Sequence, residues 1–184
     1  MMNEISLNIL DVAENCVTAD ASLVEIDVIA DSESDSLTVK IIDNGRGMSE
    51  EVLKKVTDPF YTTRTTRRVG MGTSLFKMAA EYTGGKFEIL SEVGKGTTVT
   101  AVFGLSHIDR MPLGDMTATI HSLITLHTGI DWVYRFKFDD NEFSVDTREI
   151  KEVMEDVPMN DPDVSGFIKD MLRENHAECK AQTL

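Results

Sequence analysis

Two neighbouring segments of the chain alternate apolar and polar residues, and this feature limits the possible folds most. They are LVEIDVIAD, residues 23–31, and SLTVKIID, residues 36–43, and only the polar tetrapeptide SESD separates them. Alternation with a period of two is typical of a strand that buries one face, and a short polar connection is typical of a hairpin. The pair therefore predicts two antiparallel strands that need other elements to cover one face.

Helices are predicted before and after this hairpin. In residues 4–19, apolar residues recur at spacings of three and four, which is typical of one buried helix face. Residues 50–56 follow Ser49, a good N-cap residue, and begin with two acidic residues, as a short helix does. The segment SLFKMAAEY, residues 74–82, predicts a further helix after a glycine-rich loop.

Two more strands complete the predicted core. They are GGKFEILSEV, residues 84–93, and TTVTAVFGL, residues 97–105, joined by the turn GKG. Helices on one face of a mostly antiparallel sheet make an α+β fold, a two-layer α/β sandwich, which we assign to residues 1–108.

The rest of the chain repeats the same kinds of element without repeating the sequence. Residues 114–129 predict a helix, and residues 131–138 and 142–146 predict a hairpin that two short helices follow. We therefore predict a small C-terminal α/β extension, residues 109–184, with no pattern that indicates its role.

The histidines and cysteines do not suggest a metal site. His121 and His127 are six residues apart and fall on different faces of the predicted helix, so we expect ordinary half-buried or surface histidines rather than a metal pair or a phospho-acceptor. Cys16 lies in an apolar helix stripe and Cys179 in a polar tail, and we expect both to be reduced thiols.

The charge and the hydropathy of the chain indicate which partners to expect. Lys and Arg total 18 against 32 Asp and Glu, a formal net charge of −14, so a phosphate backbone would be repelled and we expect no nucleic-acid partner. No apolar run approaches the roughly 20 residues that cross a bilayer, and the start MMNEISLNIL lacks a basic region and a cleavage site. We expect no membrane partner and a cytoplasmic location.

The segment DNGRGMS, residues 43–49, directly follows a predicted strand. Asp43 would hold its carboxylate at the strand end, and Gly45 and Gly47 would let the backbone turn tightly and approach a flat ligand closely. Asp-Asn-Gly is also a common turn, so this segment alone is equally compatible with a purely structural role.

A basic, glycine-rich loop precedes the helix at residue 74. In residues 60–74, FYTTRTTRRVGMGTS, the glycines at the helix start could present free N–H groups to phosphates. Arg64, Arg67 and Arg68 place three cations in five residues of an acidic chain, which an anionic ligand would explain. The alternative is a solvated basic loop.

These segments, in this order, resemble the Bergerat-fold (GHKL) ATPase superfamily of histidine kinases, gyrase, mismatch-repair ATPases and heat-shock chaperones. The resemblance covers roughly residues 4–104. DVAENCVTADAS resembles the asparagine motif of the first helix, DNGRGMS the adenine-binding Asp-x-Gly-x-Gly, and DPFYTTR the Phe-containing segment of histidine kinases. GMGTS and GKGTT resemble the last two glycine boxes. The resemblance is to a histidine kinase-like ATPase domain without a phospho-acceptor dimerisation domain.

The resemblance implies ATP and Mg²⁺ as cofactors and assigns a role to each motif. Asn15 would coordinate Mg²⁺ that bridges the phosphates, a task suited to a neutral oxygen ligand. Asp43 would accept a hydrogen bond from the adenine amino group, and Thr97 would support the same edge. The other implied nucleotide-binding residues are Gly45 and Gly47 near the base, Gly70 and Gly72 along the phosphates, Arg64 at the terminal phosphate, and Phe60, Thr63, Met71 and Thr73.

The resemblance also implies a general base one helical turn before Asn15. That position is Asp11, on the same helix face as Asn15, where ATP-hydrolysing and serine-kinase relatives carry Glu and many histidine kinases carry Asn or His. An acid there favours hydrolysis or phosphorylation of a hydroxyl, although Asp is one methylene shorter than Glu. Glu14 is the rival carboxylate, but it lies about 100° around the helix from Asn15, so we expect it to face solvent or a neighbouring strand.

Two functions fit these features. The first is an enzyme that uses Mg-ATP for hydrolysis or for phosphoryl transfer to a separate protein in signalling. The second is a non-catalytic, ATP-responsive switch in which a lid, residues 61–73, orders around the nucleotide and controls the binding of a protein partner.

Overall fold

The first hairpin is confirmed, and it forms the centre of a larger sheet. The computed structural model describes residues 4–56, 72–155 and 157–184. Strands β1 (Leu23–Asp31) and β2 (Ser36–Asp43) pair antiparallel, with Val24 opposite Asp43. Alternate residues of both strands are buried, which is the consequence expected from the period of two.

The described residues contain four further strands and six helices. The other strands are β3 (Lys86–Glu92), β4 (Gly96–Gly104), β5 (Asp131–Phe138) and β6 (Asn141–Asp146). The helices are α1 (Ile5–Thr18), α2 (Glu50–Val56), α3 (Gly72–Tyr82), α4 (Met116–Leu126), α5 (Thr147–Met154) and α6 (Pro162–Glu178). The last of these is longer than the short helix expected from the sequence.

The six strands form one mixed sheet in the order β3-β4-β2-β1-β5-β6. Neighbouring strands are antiparallel except β1 and β5, which run parallel with Leu23 opposite Asp131. Residues 109–184 therefore add β5 and β6 to the sheet that β1 to β4 form. Helix α4 lies in the connection that leads from β4 across the sheet to β5. The α+β class predicted from the sequence is confirmed.

Helices cover the face of the sheet that carries the apolar residues. Helices α1 and α3 contact β2 and β4, α4 contacts α1 and β5, and α6 packs on α4. The core residues of the strands are Val24, Ile26, Val28, Ala30, Leu37, Val39, Ile41, Val99, Ala101, Phe103, Trp132, Tyr134, Phe136 and Val145. The opposite face carries charged pairs such as Arg135 with Asp27, whose Nε and Oδ1 atoms are 2.6 Å apart. The layer arrangement follows from this difference between the two faces.

A buried histidine joins the C-terminal elements. His176 of α6 shares its two ring nitrogens with the hydroxyls of Thr117 on α4 and Tyr134 on β5, each at 2.8 Å. Its ring lies edge-on to Phe136 and Phe143, with centroids 5.4 and 5.1 Å away. Burial lowers the pKa of His176 from 6.5 to about 4, against a smaller opposing effect of the Asp115 charge. His176 is therefore a neutral hydrogen-bonding residue of the core.

Within the described residues, none of the helices combines the length and the apolar character needed to cross a membrane.

Candidate functional site

A cavity of about 410 Å³ lies between α1, α2 and the strands β2, β3 and β4. Its walls are largely apolar, with Val12, Val52, Ile89 and Val99 among the lining residues. Its polar lining residues include Asn15, Asp43, Thr73 and Thr97. A largely apolar cavity with a few convergent polar groups is the usual form of a small-molecule site.

Asp43 forms the polar floor of this cavity. It is the last residue of β2 and is only 8% exposed. Its Oδ1 accepts the N–H of Gly45 at 2.8 Å, which fixes the carboxylate. Its register partner on β4 is Thr97, whose hydroxyl lies 2.9 Å from the hydroxyl of Ser91. A fixed, buried carboxylate beside a hydroxyl can accept hydrogen bonds from a ligand that enters the cavity.

Asn15 lies at the rim of the same cavity. It projects from the last turn of α1 and is exposed, whereas Asp43 is buried. The structure therefore places two of the predicted site residues, which are far apart in the sequence, at the same cavity.

Asp11 lies one turn earlier on α1, next to the start of α3. A Cβ atom built on Gly72 would overlap the carboxylate of Asp11, so a side chain at position 72 would displace the side chain of Asp11. Thr73, the next residue, is buried and lines the cavity. The first turn of α3 thus lies beside both Asp11 and the cavity.

The turn after β2 packs on the β3–β4 hairpin. Gly47 has a φ of 65°, and a Cβ on it would overlap the carbonyl oxygen of Glu92. The carbonyl of Arg46 accepts the N–H of Gly94, and Ser91 accepts the N–H of Met48, both at 2.8 Å. Glycine at position 47 is therefore required by backbone packing.

Gly45 is also tightly enclosed, because a Cβ on it would lie 2.6 Å from the carbonyl oxygen of Ala19. This contact places the turn after β2 against the end of α1. Because Gly45 and Gly47 have no side chains, the turn after β2 packs closely against both the end of α1 and the β3–β4 hairpin.

Several predicted site residues lie outside the described residues. These are Phe60, Thr63, Arg64, Gly70 and Met71, together with Arg67, Arg68 and most of the predicted lid.

Sequence reasoning missed Cys16 and Ser91. The thiol of Cys16 donates to the carbonyl of Val12 at 3.3 Å, lines the cavity and is 4% exposed. Burial, and then the nearby charge of Asp43, raises the pKa of Cys16 far above the usual range of a thiol. Neither residue has a sequence signal of its own, because Cys16 belongs to an ordinary apolar stripe and Ser91 to an ordinary strand.

The structure predicts that Cys16 is an unreactive thiol. A thiol-specific reagent such as a maleimide reacts with the thiolate, which burial and Asp43 both disfavour. In the Cys179→Ser variant, labelling of Cys16 between pH 7 and 9 should be at least about 100-fold slower than labelling of a free cysteine. Mass spectrometry of timed samples measures this rate, and labelling as fast as in the urea-unfolded variant would contradict the described burial.

The carboxylate of Glu14 is partly exposed to solvent, and it contacts the end of a helix and not a neighbouring strand. Its Oε1 accepts a hydrogen bond at 2.8 Å from Nε2 of His127, the residue that caps the C-terminal end of α4. Glu14, the alternative to Asp11 as general base, is therefore directed towards the C-terminal part of the chain.

A second cavity, of about 530 Å³, lies between α4 and α6. Its lining includes Glu4, Asp115 and Arg173, and Arg173 already pairs with Asp170 at 2.8 Å. The first cavity is lined by Asn15, Asp43 and Thr97, which the sequence predicts as site residues, and is therefore the candidate site.

Comparison with known proteins gives a family match for the part of the chain that contains this cavity. The profile of the family described as "Histidine kinase-, DNA gyrase B-, and HSP90-like ATPase" matches residues 1–107. The matched part ends before β5 and β6, so it does not include the C-terminal strands.

Individual relatives are bacterial sensor proteins. The chain is 30% identical over 109 residues to a sensor protein of Shewanella frigidimarina, covering 59% of this chain and 16% of that protein. It is 28% identical over 107 residues to an NtrY-like sensor histidine kinase of Rickettsia prowazekii, covering 58% and 18%. It is 39% identical over 67 residues to the sensor kinase CckA of Brucella abortus, covering 36% and 7%. The chain thus spans less than a fifth of the length of these relatives.

Among solved structures, the crystal structure of the N-terminal domain of a DNA repair protein aligns with a TM-score of 0.49 and 12% identity, covering 79% of this chain and 52% of that chain.

Proposed function

Because the chain belongs to the histidine kinase-, DNA gyrase B- and HSP90-like ATPase family, we propose that it binds Mg-ATP in the cavity between α1 and the ends of β2 and β4. We further propose that it uses the nucleotide for hydrolysis or for phosphoryl transfer to a separate protein in signalling. The observation that carries this proposal is that Asn15 of α1 and Asp43 of β2 line the same cavity.

The cavity fits a nucleoside by size and by chemistry. Its volume of about 410 Å³ lies in the range of small-molecule sites, roughly 300–1,000 Å³. The buried carboxylate of Asp43 is an acceptor, which matches the amino group of adenine. Ile89 and Val99 supply apolar side chains against which a flat base can pack. Adenine is therefore proposed to bind at the Asp43 end of the cavity.

The rim fits a magnesium ion that arrives with phosphates. Mg²⁺ prefers oxygen ligands, keeps several waters, and commonly takes one or two protein ligands in addition to substrate phosphates. The exposed amide of Asn15 supplies one such oxygen at the rim. When bound, the ion neutralises charge on the phosphates during transfer. Thr73, in the first turn of α3, lines the same cavity, and this helix start is proposed to contact the phosphates.

Asp11 is proposed as the general base. It lies one turn from Asn15 on the same helix and adjoins Gly72 at the start of α3. From there its carboxylate can accept a proton from a water molecule or from a hydroxyl of a protein substrate as that oxygen bonds to the terminal phosphorus of ATP. The bond from this phosphorus to the bridging oxygen breaks, and ADP leaves.

We expect Asp11→Asn to lower the turnover of ATP by at least about 100-fold, because an amide cannot accept the proton. ATP affinity should stay within about twofold of wild type, because Asp11 is proposed to act on the nucleophile and not on the nucleotide. Release of labelled phosphate and transfer of label to protein, both from γ-labelled ATP, measure the two reactions.

Asp109→Asn is the matched control, since Asp109 is exposed and is not among the residues that line the cavity. Wild-type turnover in Asp11→Asn would contradict the role of Asp11. Saturable ATP binding by wild type without phosphate release or label transfer would instead support the non-catalytic switch.

A further inference from the structure

Near its C-terminal end, the helix that carries Asn15 makes a side-chain contact with the C-terminal part of the chain. The start of the same helix is joined to that part as well, because the N–H groups of Ile5 and Ser6 donate to the carbonyls of Pro112 and Leu113. Glu14, the neighbour of Asn15, accepts a hydrogen bond from His127 at 2.8 Å. The side chains of Glu14 and His127 are 40% and 22% exposed, so the contact is partly shielded from water. His127 lies outside residues 1–107, the part that matches the family.

His127 is held firmly on its own side of this contact. Its N–H donates to the carbonyl of Leu123 at 3.1 Å, and its carbonyl accepts the N–H of Ile130 at 3.1 Å and the indole N–H of Trp132 at 3.4 Å. Its ring lies 6.4 Å from the ring of Trp132, centroid to centroid. Trp132 is buried on β5, opposite Val24 of β1. His127 is therefore fixed to the central sheet through Trp132.

Glu14 has less support on its side. It lies one residue before the last turn of α1, and helix ends fray more easily than helix centres. A carboxylate near the C-terminal end of a helix gains nothing from the helix dipole, so the contact with His127 is what favours its placement there. The same short stretch of helix carries Asn15, whose carbonyl accepts the N–H of Ala19 at 2.9 Å.

We propose that Glu14 and His127 are positioning residues for the nucleotide site, through which the C-terminal extension, residues 109–184, fixes the last turn of α1 and with it the amide of Asn15. This inference rests on the proposed Mg-ATP binding, and it assigns the extension a regulatory role at that site. A partner that moves α4 would change the Mg²⁺-dependent part of ATP binding more than the adenine end, because Asp43 is held on β2 by its pairing with Val24 of β1 and Thr97 of β4.

The test is a titration of ATP with wild type, Glu14→Ala, His127→Ala and the double variant, each in Mg²⁺ and in EDTA. Mg²⁺ should strengthen ATP binding by wild type. In each single variant, the ratio of the ATP affinity in Mg²⁺ to the affinity in EDTA should be roughly fivefold smaller than in wild type, a typical size for coupled contacts. The double variant should lose no more than either single variant. Affinities in EDTA should stay within about twofold of wild type, because they report the adenine end.

His121→Ala is the matched control on the same helix. His121 contacts Ser165 of α6 through Nε2 at 2.9 Å and so makes its hydrogen bond to a different element. This variant should keep the full Mg²⁺ gain. A purely structural role of the Glu14 contact would weaken binding equally in Mg²⁺ and in EDTA, and that result would overturn the proposal.

The outcomes separate this inference from the proposed function. Saturable Mg-ATP binding by wild type with an unchanged Mg²⁺ gain in Glu14→Ala or His127→Ala overturns this inference alone. Losses that add in the double variant also overturn it. Absence of saturable ATP binding by wild type overturns the proposed function and this inference with it.

Discussion

Asp43→Asn is expected to raise the dissociation constant for ATP by about 100-fold. The substitution replaces an acceptor of the adenine amino group by a side chain that also presents a donor, and leaving a buried polar group unpaired costs about 1–3 kcal/mol. The fold should persist, because the amide oxygen of Asn can still accept the N–H of Gly45. Isothermal titration calorimetry with Mg-ATP measures the affinity, and thermal unfolding checks the fold.

Asp27→Asn is the matched control for this change. Asp27 also lies on a strand of the central sheet, but it pairs with Arg135 on the face away from the helices. Its substitution should leave ATP affinity unchanged. Binding by Asp43→Asn as tight as that of wild type would place the adenine elsewhere.

The second large effect is a loss of stability in acid caused by His176. In the unfolded chain this histidine takes up a proton with a pKa near 6.5, whereas in the folded protein it does so only at about 4. Between these two pH values the unfolded state therefore binds more protons than the folded state. The contribution of the neutral His176 to the free energy of unfolding is fully present above pH 6.5 and is lost as the pH falls towards 4. The expected loss is about 3 kcal/mol, and urea denaturation at pH 7.5 and 4.5 measures it.

Carboxylates also titrate in this range, so the effect of His176 is taken as the difference from His176→Gln. Glutamine can still hydrogen bond to Thr117 or Tyr134 but cannot be protonated. The variant should be less stable than wild type at pH 7.5 and should lose less stability on acidification. His121→Gln should lose as much as wild type. An equal loss in wild type and His176→Gln would show that His176 is protonated in the folded state.

The central hairpin and the helices that cover it could be predicted because their signals are local. Alternation over residues 23–31 and 36–43 predicts strands, and a connection of only four residues favours their pairing as a hairpin. The parallel pairing of β1 with β5 could not be predicted. Residues 131–138 alternate as a strand should, but nothing in that alternation states which strand lies beside it.

The residues of the candidate site also fall into two groups, those that local sequence patterns predict and those that they do not. Asp43, Gly45 and Gly47 are predicted from the turn chemistry at a strand end. Asn15 is one of three possible oxygen ligands in α1, with Asp11 and Glu14, and only the resemblance selects it as the Mg²⁺ ligand. The contact between Glu14 and His127 joins residues 113 positions apart and was missed for that reason. Cys179 looked like part of a polar tail and is buried, because the packing of the chain end and not its composition decides its exposure.

The central claim is that ATP binds in the cavity that Asp43 and Asn15 line, and a titration of the ¹⁵N-labelled protein with Mg-ATP, followed by NMR, tests it most directly. The backbone amide signals of Gly45, Gly47 and Thr97 and the side-chain amide signals of Asn15 should shift together and saturate. Those of Gly114 and Ala177, at the second cavity, should not move. Saturating shifts confined to the second cavity, or no shifts at millimolar ATP, would contradict the account.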